Sequence, residues 1–225
     1  GIVRTVHADG TSSWVVVVPG TTDWGLGGAN PQDLLTNPQA VAGAPNDMES
    51  AVVTAMRRAG IGPDDPVGIY GHSQGAIVAS NIAADPTVNE RYNVTTLLTA
   101  GGPTAGADLP DNVNALHLEN GADIVPGLDG APTPRTPTRI VVTLDTTDSD
   151  LEGYPHGSLV YADAVEGRVA AIIGHFPFAR GVLWKAADLQ ILERFPEPGD
   201  YPDTACEYLL PEADYVFISS SSFVN

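Results

Sequence analysis

Basic residues, cysteine and long apolar stretches are all scarce in this chain. Of its 225 residues only 10 are Lys or Arg, against 28 Asp or Glu, for a formal net charge of −18. Such a surface repels nucleic acid and anionic lipid, and no basic cluster reverses that, so nucleic-acid partners are excluded. The acidic excess reads as a solvating surface rather than a lure for a cationic substrate. A single cysteine, Cys206, excludes an intrachain disulfide framework. It lies in the Pro-rich C-terminal segment, far from any histidine that would make a Cys-His pair, and reads as an incidental thiol. The longest aliphatic or aromatic run, Trp14 to Val18, is five residues, so there is neither a transmembrane segment nor a signal-peptide core and a soluble protein is expected. The chain begins with Gly1 rather than Met, which raises the expectation that a leader or upstream domain has been removed. Localisation, cytoplasmic or exported, stays open.

What is present points to one α/β domain spanning residues 1–225, with no linker dividing it. Two β-rich segments, Ile2 to Ala8 and Ser13 to Pro19, flank Asp9-Gly10 and predict an opening hairpin. Trp14 to Val18 is apolar on both faces, as expected of a strand in a largely parallel sheet covered by helices on either side. A Gly-, Asn- and Pro-rich stretch over 23–45 carries Trp24, Leu26, Leu34, Leu35 and Val41, and reads as a lid or pocket loop. Asn46 and Glu49 then predict a reciprocal capping box for a helix that Gly60 closes. Strands are expected at Val67–Tyr70, Val94–Thr99, Asn114–Glu119 and Arg139–Leu144, with a helix from Gly75 to Ala84 stopped by Asp85-Pro86. Further helices are expected over Ser158–Ile173 and Ala179–Phe195, followed by an irregular tail from Pro196 in which Tyr215–Ile218 reads as a late strand or an extended piece. The fold class is therefore α/β, a mostly parallel central sheet of about six strands with helices on both faces.

The most informative stretch is Val67 to Ser80, where an apolar run meets Gly71-His72-Ser73-Gln74-Gly75 and continues as a small-residue helix. A serine on a sharp strand-to-helix turn is pushed clear of the backbone, where a base can take its proton. A hydroxyl is a poor nucleophile at neutral pH, so hydrolysis also needs a histidine and a carboxylate to orient it. In an open hydrolase sheet the nucleophile comes first, the acid follows the penultimate strand and the histidine follows the last. Asp123, in the loop after the strand Ala115–Leu118, fits the acid. His156, on a loop after the strand Arg139–Leu144, fits the base. Asp145 also ends a strand but holds the wrong rank in that order. His72 should point away from its neighbour Ser73, His117 reads as a core histidine, and His7 and His175 lie in the hairpin and beyond a helix stop. For an oxyanion, the Gln74 N–H at the helix start and the Thr21 N–H, with Thr22 as neighbour, are the expected donors. Thr22, Trp24 and Leu26 are the expected substrate contacts. Asp145 to Glu152 holds four carboxylates but lacks the spacing of a calcium loop, and the Asn93-Val-Thr95 sequon opens a predicted strand.

Val17-Val18-Pro19-Gly20-Thr21, Gly71-His72-Ser73-Gln74-Gly75, Gly121-Ala-Asp123-Ile-Val125 and His156-Gly-Ser-Leu-Val-Tyr161, in that order, make the chain resemble the α/β-hydrolase superfamily. The likeness, over roughly Val15 to Tyr161, is to its small lipase, esterase and cutinase-like branch and the actinobacterial relatives of that branch. It implies Ser73 as nucleophile, Asp123 as acid and His156 as base. Cutinases carry disulfides, which this chain cannot form. The function expected is cleavage of carboxylic esters, small-molecule or lipid, by a serine hydrolase that needs no metal or organic cofactor. Thioester cleavage or acyl transfer on the same triad, or a non-catalytic module of a larger surface protein, are the alternatives.

Overall fold

The structure, a computed structural model, describes residues 1–146 and 155–166. The expected helix over 179–195, the segment 215–218, Cys206, His175 and most of the acidic loop over 145–152 lie outside the described residues.

The chain opens with β1 (Ile2–Val6) and β2 (Ser12–Val18), paired antiparallel as the Asp9-Gly10 turn predicts. Gly10 takes a φ of +84°, and the Asp9 carboxylate accepts the Thr11 N–H at 2.9 Å. Residues 23–45 are not one loop. A short helix, α1 (Thr36–Val41), forms after Asp33, whose carboxylate accepts both the N–H and the hydroxyl of Thr36 at 2.9 Å.

Next comes α2 (Asp47–Ala59), with Asn46 accepting the Glu49 N–H at 2.9 Å and Gly60 closing it in the left-handed region at φ +79°. The expected reciprocal bond is replaced: Glu49 instead accepts from Asn81 Nδ2 at 2.8 Å, tying α2 to its neighbouring helix. Then follow β3 (Pro66–His72), α3 (Gln74–Ala84) and α4 (Pro86–Arg91). Asp85-Pro86 ends α3 as expected but also starts α4. The proline stands at a position whose N–H has no intrahelical partner, and the Asp85 carboxylate caps the Thr87 N–H at 2.7 Å. The remaining described elements are β4 (Asn93–Ala100), β5 (Asn114–Asn120), β6 (Arg139–Leu144) and α5 (Ser158–Glu166).

The six strands lie side by side in chain order, β1 antiparallel to β2 and every later pair parallel. Each parallel crossover thus steps one strand in the same direction, and right-handed crossovers stack such connections on one face. The core agrees. Met48, Val52 and Met56 of α2, Ile77 and Ile82 of α3 and Val88 of α4 pack with Val16, Val18, Ile69 and Leu97. The alternate residues, Val17, Tyr70, Leu98, Leu116 and Leu118, face the other way and pack with Tyr161, Ala164 and Val165 of α5. Both faces of β2 are covered, which is why Trp14–Val18 is apolar throughout. The carboxyl ends of β2, β3, β5 and β6 share one edge, and each feeds a loop bearing a candidate site residue.

Candidate active site

Ser73 is the only described non-glycine residue with positive φ, at 58° with ψ −124°. Such a conformation costs on the order of 1–3 kcal/mol and persists only where its surroundings impose it. Here the Ser73 N–H donates to Ala100 O at 3.0 Å, and Ser73 O accepts the Ala76 N–H at 2.9 Å. The two glycines of the motif are required by close approach. A Cβ at Gly71 would overlap the Gly75 carbonyl, and one at Gly75 would overlap the Val18 carbonyl. Strand, turn and helix therefore lock together, and the hydroxyl is left projecting.

His156 lies just before α5, 83 positions from the serine, with Nε2 2.8 Å from Ser73 Oγ. Its Nδ1 is 2.7 Å from Asp123 Oδ2. With the imidazole neutral and its proton on Nδ1, the carboxylate accepts from His156, and Nε2 accepts from the serine hydroxyl. The Asp123 side chain is fully covered, whereas His156 is 15% exposed. Burial pushes the Asp123 carboxyl up, but hydrogen bonds from His156, the Val125 N–H and the Tyr161 hydroxyl outweigh it and hold the group below its ordinary value. Asp123 is thereby kept ionised beside the ring it orients. Asp145 is exposed at the end of β6, and it is Asp123 that meets the His156 ring.

Four residues whose roles the sequence did not reveal hold this arrangement. The Tyr161 hydroxyl donates to Asp123 Oδ2 at 2.8 Å and accepts the Asn120 N–H at 3.0 Å. The buried Asn120 side chain joins three loops: its Nδ2 donates to Pro155 O, while its Oδ1 accepts from the Ala122 N–H and the Thr146 hydroxyl. The His72 Nε2–H donates to the main-chain carbonyl of His156 at 2.8 Å. Burial, followed by repulsion from His156, lowers the His72 pKa to about 4, so its ring is neutral above that pH. Gly101, at φ +63°, lets the chain after β4 pass close by; a Cβ there would stand 3.2 Å from both Asp123 Oδ2 and His156 Nδ1. His72 and Tyr161 lay within the motif stretches with no such role assigned, and Gly101 and Asn120 stood only at strand ends.

The remaining described histidines serve elsewhere. His117 is fully buried; it accepts from Arg139 Nε at 3.0 Å, and its Nδ1–H faces the Thr99 hydroxyl at 2.6 Å. Burial, with Arg139 close by, drops its pKa to about 3. Arg139 also donates to the carbonyls of Thr104 and Ala107, fixing the loop that follows Gly101. His7 meets the Ser13 hydroxyl at the opposite end of β2.

The Gln74 N–H opens α3, where backbone donors have no intrahelical acceptor and the helix dipole favours negative charge. Its side chain, 1% exposed, donates to Asp33 O at 2.7 Å and anchors the 23–45 segment to the turn. Gly20 runs beside the serine: a Cβ on it would stand 3.1 Å from Ser73 Cβ. Thr21 follows directly, its hydroxyl held by Asn37 Nδ2 at 3.1 Å. Thr22 is committed elsewhere, its N–H donating to Gln32 O and its hydroxyl to Gln32 Oε1. That separates the two threonines, since the Thr22 N–H is already taken by Gln32 O. Trp24 and Leu26 are 76% and 79% exposed on a tip whose base is closed by the Asp23–Asp33 bridge and the bonds to Gln32. Residues 31–41, by contrast, are tied to α3 through Gln74 and through Asn81 Nδ2, which donates to Ala40 O.

Among the described residues no group of three or more His, Cys, Asp or Glu is placed to hold a metal ion. No described helix is long and apolar enough to cross a membrane.

Comparison with protein families matches residues 160–225 to DUF364, a family described as "Putative heavy-metal chelation". Only 160–166 of that stretch fall among the described residues. Comparisons with curated proteins and with solved structures found no match. The family match corrects the resemblance drawn from the sequence, because what it returns is not an α/β-hydrolase family. The physical reason is that Gly-x-Ser-x-Gly between a strand and a helix reports the sterics of one tight turn. Any parallel sheet can carry such a turn, so the motif describes local geometry rather than descent.

Proposed function

We propose that this protein is a serine hydrolase that cleaves carboxylic esters through an acyl-enzyme. The observation that carries the reading is the continuous chain from Ser73 Oγ to His156 Nε2 at 2.8 Å and from His156 Nδ1 to Asp123 Oδ2 at 2.7 Å. Ser73 Oγ attacks the ester carbonyl as its proton passes to His156 Nε2, and Asp123 stabilises the imidazolium that forms. The carbonyl oxygen becomes an oxyanion beside the Gln74 and Thr21 N–H groups. Collapse of the tetrahedral intermediate breaks the bond to the alcohol oxygen, which leaves with the proton from His156. Water then repeats the sequence on the acyl-enzyme, giving up its proton to His156 and releasing the acid and the free serine. Every proton in the cycle moves through one imidazole nitrogen, which is why its distance to the serine matters most.

An apolar acyl group suits the surroundings. The exposed large hydrophobic side chains of the described residues are Trp24, Leu26, Leu35, Val41, Ile124, Leu128 and Leu159. All belong to segments that follow β2, β5 or β6, the strands whose carboxyl ends carry Thr21, Asp123 and His156. An alcohol in place of water as acceptor would turn hydrolysis into acyl transfer, and product analysis with a competing alcohol measures that partition.

The test is covalent labelling by a fluorophosphonate probe, which should modify Ser73 and leave Ser73→Ala unlabelled. Equal labelling of the two proteins would overturn the assignment.

A further inference from the structure

We infer that His72 is a positioning residue that fixes the backbone of the base to the backbone of the nucleophile. The inference goes beyond the esterase reading but rests on the same triad. A catalytic imidazole needs its ring nitrogens aimed and the chain beneath it held still. The ring is aimed by Asp123 and Ser73. Two side-chain donors hold the chain: Asn120 Nδ2 to Pro155 O at 2.9 Å, and His72 Nε2 to His156 O at 2.8 Å. Of the two, only His72 is adjacent to the nucleophile. Because it precedes Ser73 in a turn locked by Gly71 and Gly75, any displacement of the serine carries the donor along with it. Base and nucleophile are thus kept in register by one hydrogen bond that bypasses the reacting atoms.

The ring of His72 also fills the space beside the base. Its centroid lies 5.0 Å from that of His156, the planes inclined by 32°, and 5.9 Å from the Tyr161 ring in an edge-on arrangement. A carbonyl can only accept, so the His72 proton must sit on Nε2, and this nitrogen cannot take the serine proton. His72 thereby commits its Nε2–H to the backbone of the base. Its neutrality is equally apt. During turnover His156 becomes an imidazolium, and a second positive ring at that distance would oppose the charge that develops. Burial of His72 keeps the neutral form.

The experiment compares His72→Phe, which keeps an aromatic ring without the donor, with His72→Gln, which keeps a donor of similar reach. With a short soluble p-nitrophenyl ester, His72→Phe should lose about 10–100-fold in kcat with KM within about twofold, since small misplacements of a catalytic group act on turnover. His72→Gln should recover most of the loss. A second readout needs no substrate: the downfield proton resonance of the His156 Nδ1–H bonded to Asp123 should be sharp in wild type and His72→Gln, and broadened or absent in His72→Phe. Wild-type kcat and an unchanged resonance in His72→Phe would overturn the inference, as would equal losses in the two variants. Should the Phe variant fail to fold, His72→Met, of similar length but without a donor, takes its place against His72→Gln with the same outcomes. A wild-type protein that shows the resonance but neither esterase activity nor probe labelling would sink the esterase reading alone, and the resonance would still decide the role of His72.

Discussion

The Tyr161 hydroxyl and the His156 imidazole meet at a single atom, Asp123 Oδ2, at 2.8 and 2.7 Å. That oxygen is the anchor of the site, since the second carboxylate oxygen is already taken by the Val125 N–H at 2.9 Å. Removing the hydroxyl in Tyr161→Phe leaves the buried Asn120 N–H without its acceptor and Asp123 with one donor fewer. A buried group left unpaired costs about 1–3 kcal/mol, and for a chain of this size that lowers Tm by roughly 2–12 °C. Calorimetry should show a fall in that range. Turnover of a soluble ester should fall by about tenfold, less than the loss from changing Asp123 itself, because the imidazole keeps its carboxylate. A Tyr161→Phe protein with wild-type Tm would mean that the hydroxyl bonds do not matter to the fold.

Asp123→Asn tests the acid. The amide can still touch His156 but favours the wrong tautomer, a change worth about 10⁴ in kcat in the serine-protease template. A loss of that order is expected here, with labelling of Ser73 by the fluorophosphonate probe slowed in parallel. Asp145→Asn should stay within about twofold, because the carboxylate that meets the His156 ring is Asp123. The reverse ranking would transfer the acid role to Asp145.

Acid should unfold the protein through its buried imidazoles. His72 and His117 have pKa values lowered from 6.5 to about 4 and about 3. Between those values and 6.5 the unfolded chain binds protons that the folded one does not, so stability rises with pH across that interval. The stabilisation is complete above pH 6.5 and is lost as pH falls toward 4 and then 3. Asp123 acts in the same direction at lower pH, its stabilisation present above 3.8 and lost as pH drops through its depressed folded value. Urea midpoints measured from pH 8 to pH 4 should therefore decline below about 6.5. In His72→Phe the decline should be shallower but still present, because His117 remains; an unchanged slope would show that His72 titrates normally in the folded state.

Much of this architecture could be read from residue patterns because the signals were local. Short apolar runs bounded by Gly, Pro and Asp marked the strands, and the glycines around Ser73 marked a turn that only they allow. The chain order of Ser73, Asp123 and His156 could be laid against the order of strands, and the geometry brings the three together. Where the reading missed, the cause lay in partners remote in sequence. α1 was hidden because its start is fixed by the Asp33 carboxylate and the Gln74 side chain, 41 positions away from the Asp33 carbonyl it bonds. Glu49 looked like half of a capping box, but Asn81 was the better-placed donor. Asp85-Pro86 reads equally as a stop and a start, and here it is both. His72 and Tyr161 stand in motif stretches that gave them no partner, and Asn120 stands in none; each matters because a loop from elsewhere delivers a carbonyl or a carboxylate to it. The family likeness failed for the opposite reason, since short motifs that encode local sterics can arise without common descent.

The tip over residues 24–29 bears on substrate choice. Trp24 and Leu26 have little contact with the body, so replacing both by serine should leave Tm unchanged within the roughly 0.5 kcal/mol typical of surface substitutions. If the tip covers the acyl chain of the substrate, each side chain buries apolar area only in the complex, worth about 1.5–3 kcal/mol when that burial is complete. Partial burial of both corresponds to a fall of about 10–100-fold in kcat/KM. That fall should be confined to long acyl chains: p-nitrophenyl decanoate should suffer it, whereas p-nitrophenyl acetate, too short to reach the tip, should be cleaved within about twofold of the wild-type rate. Equal losses on both esters would place the effect at the oxyanion donors after β2 rather than at an acyl site. Equal activity on both would leave the tip without a part in substrate binding.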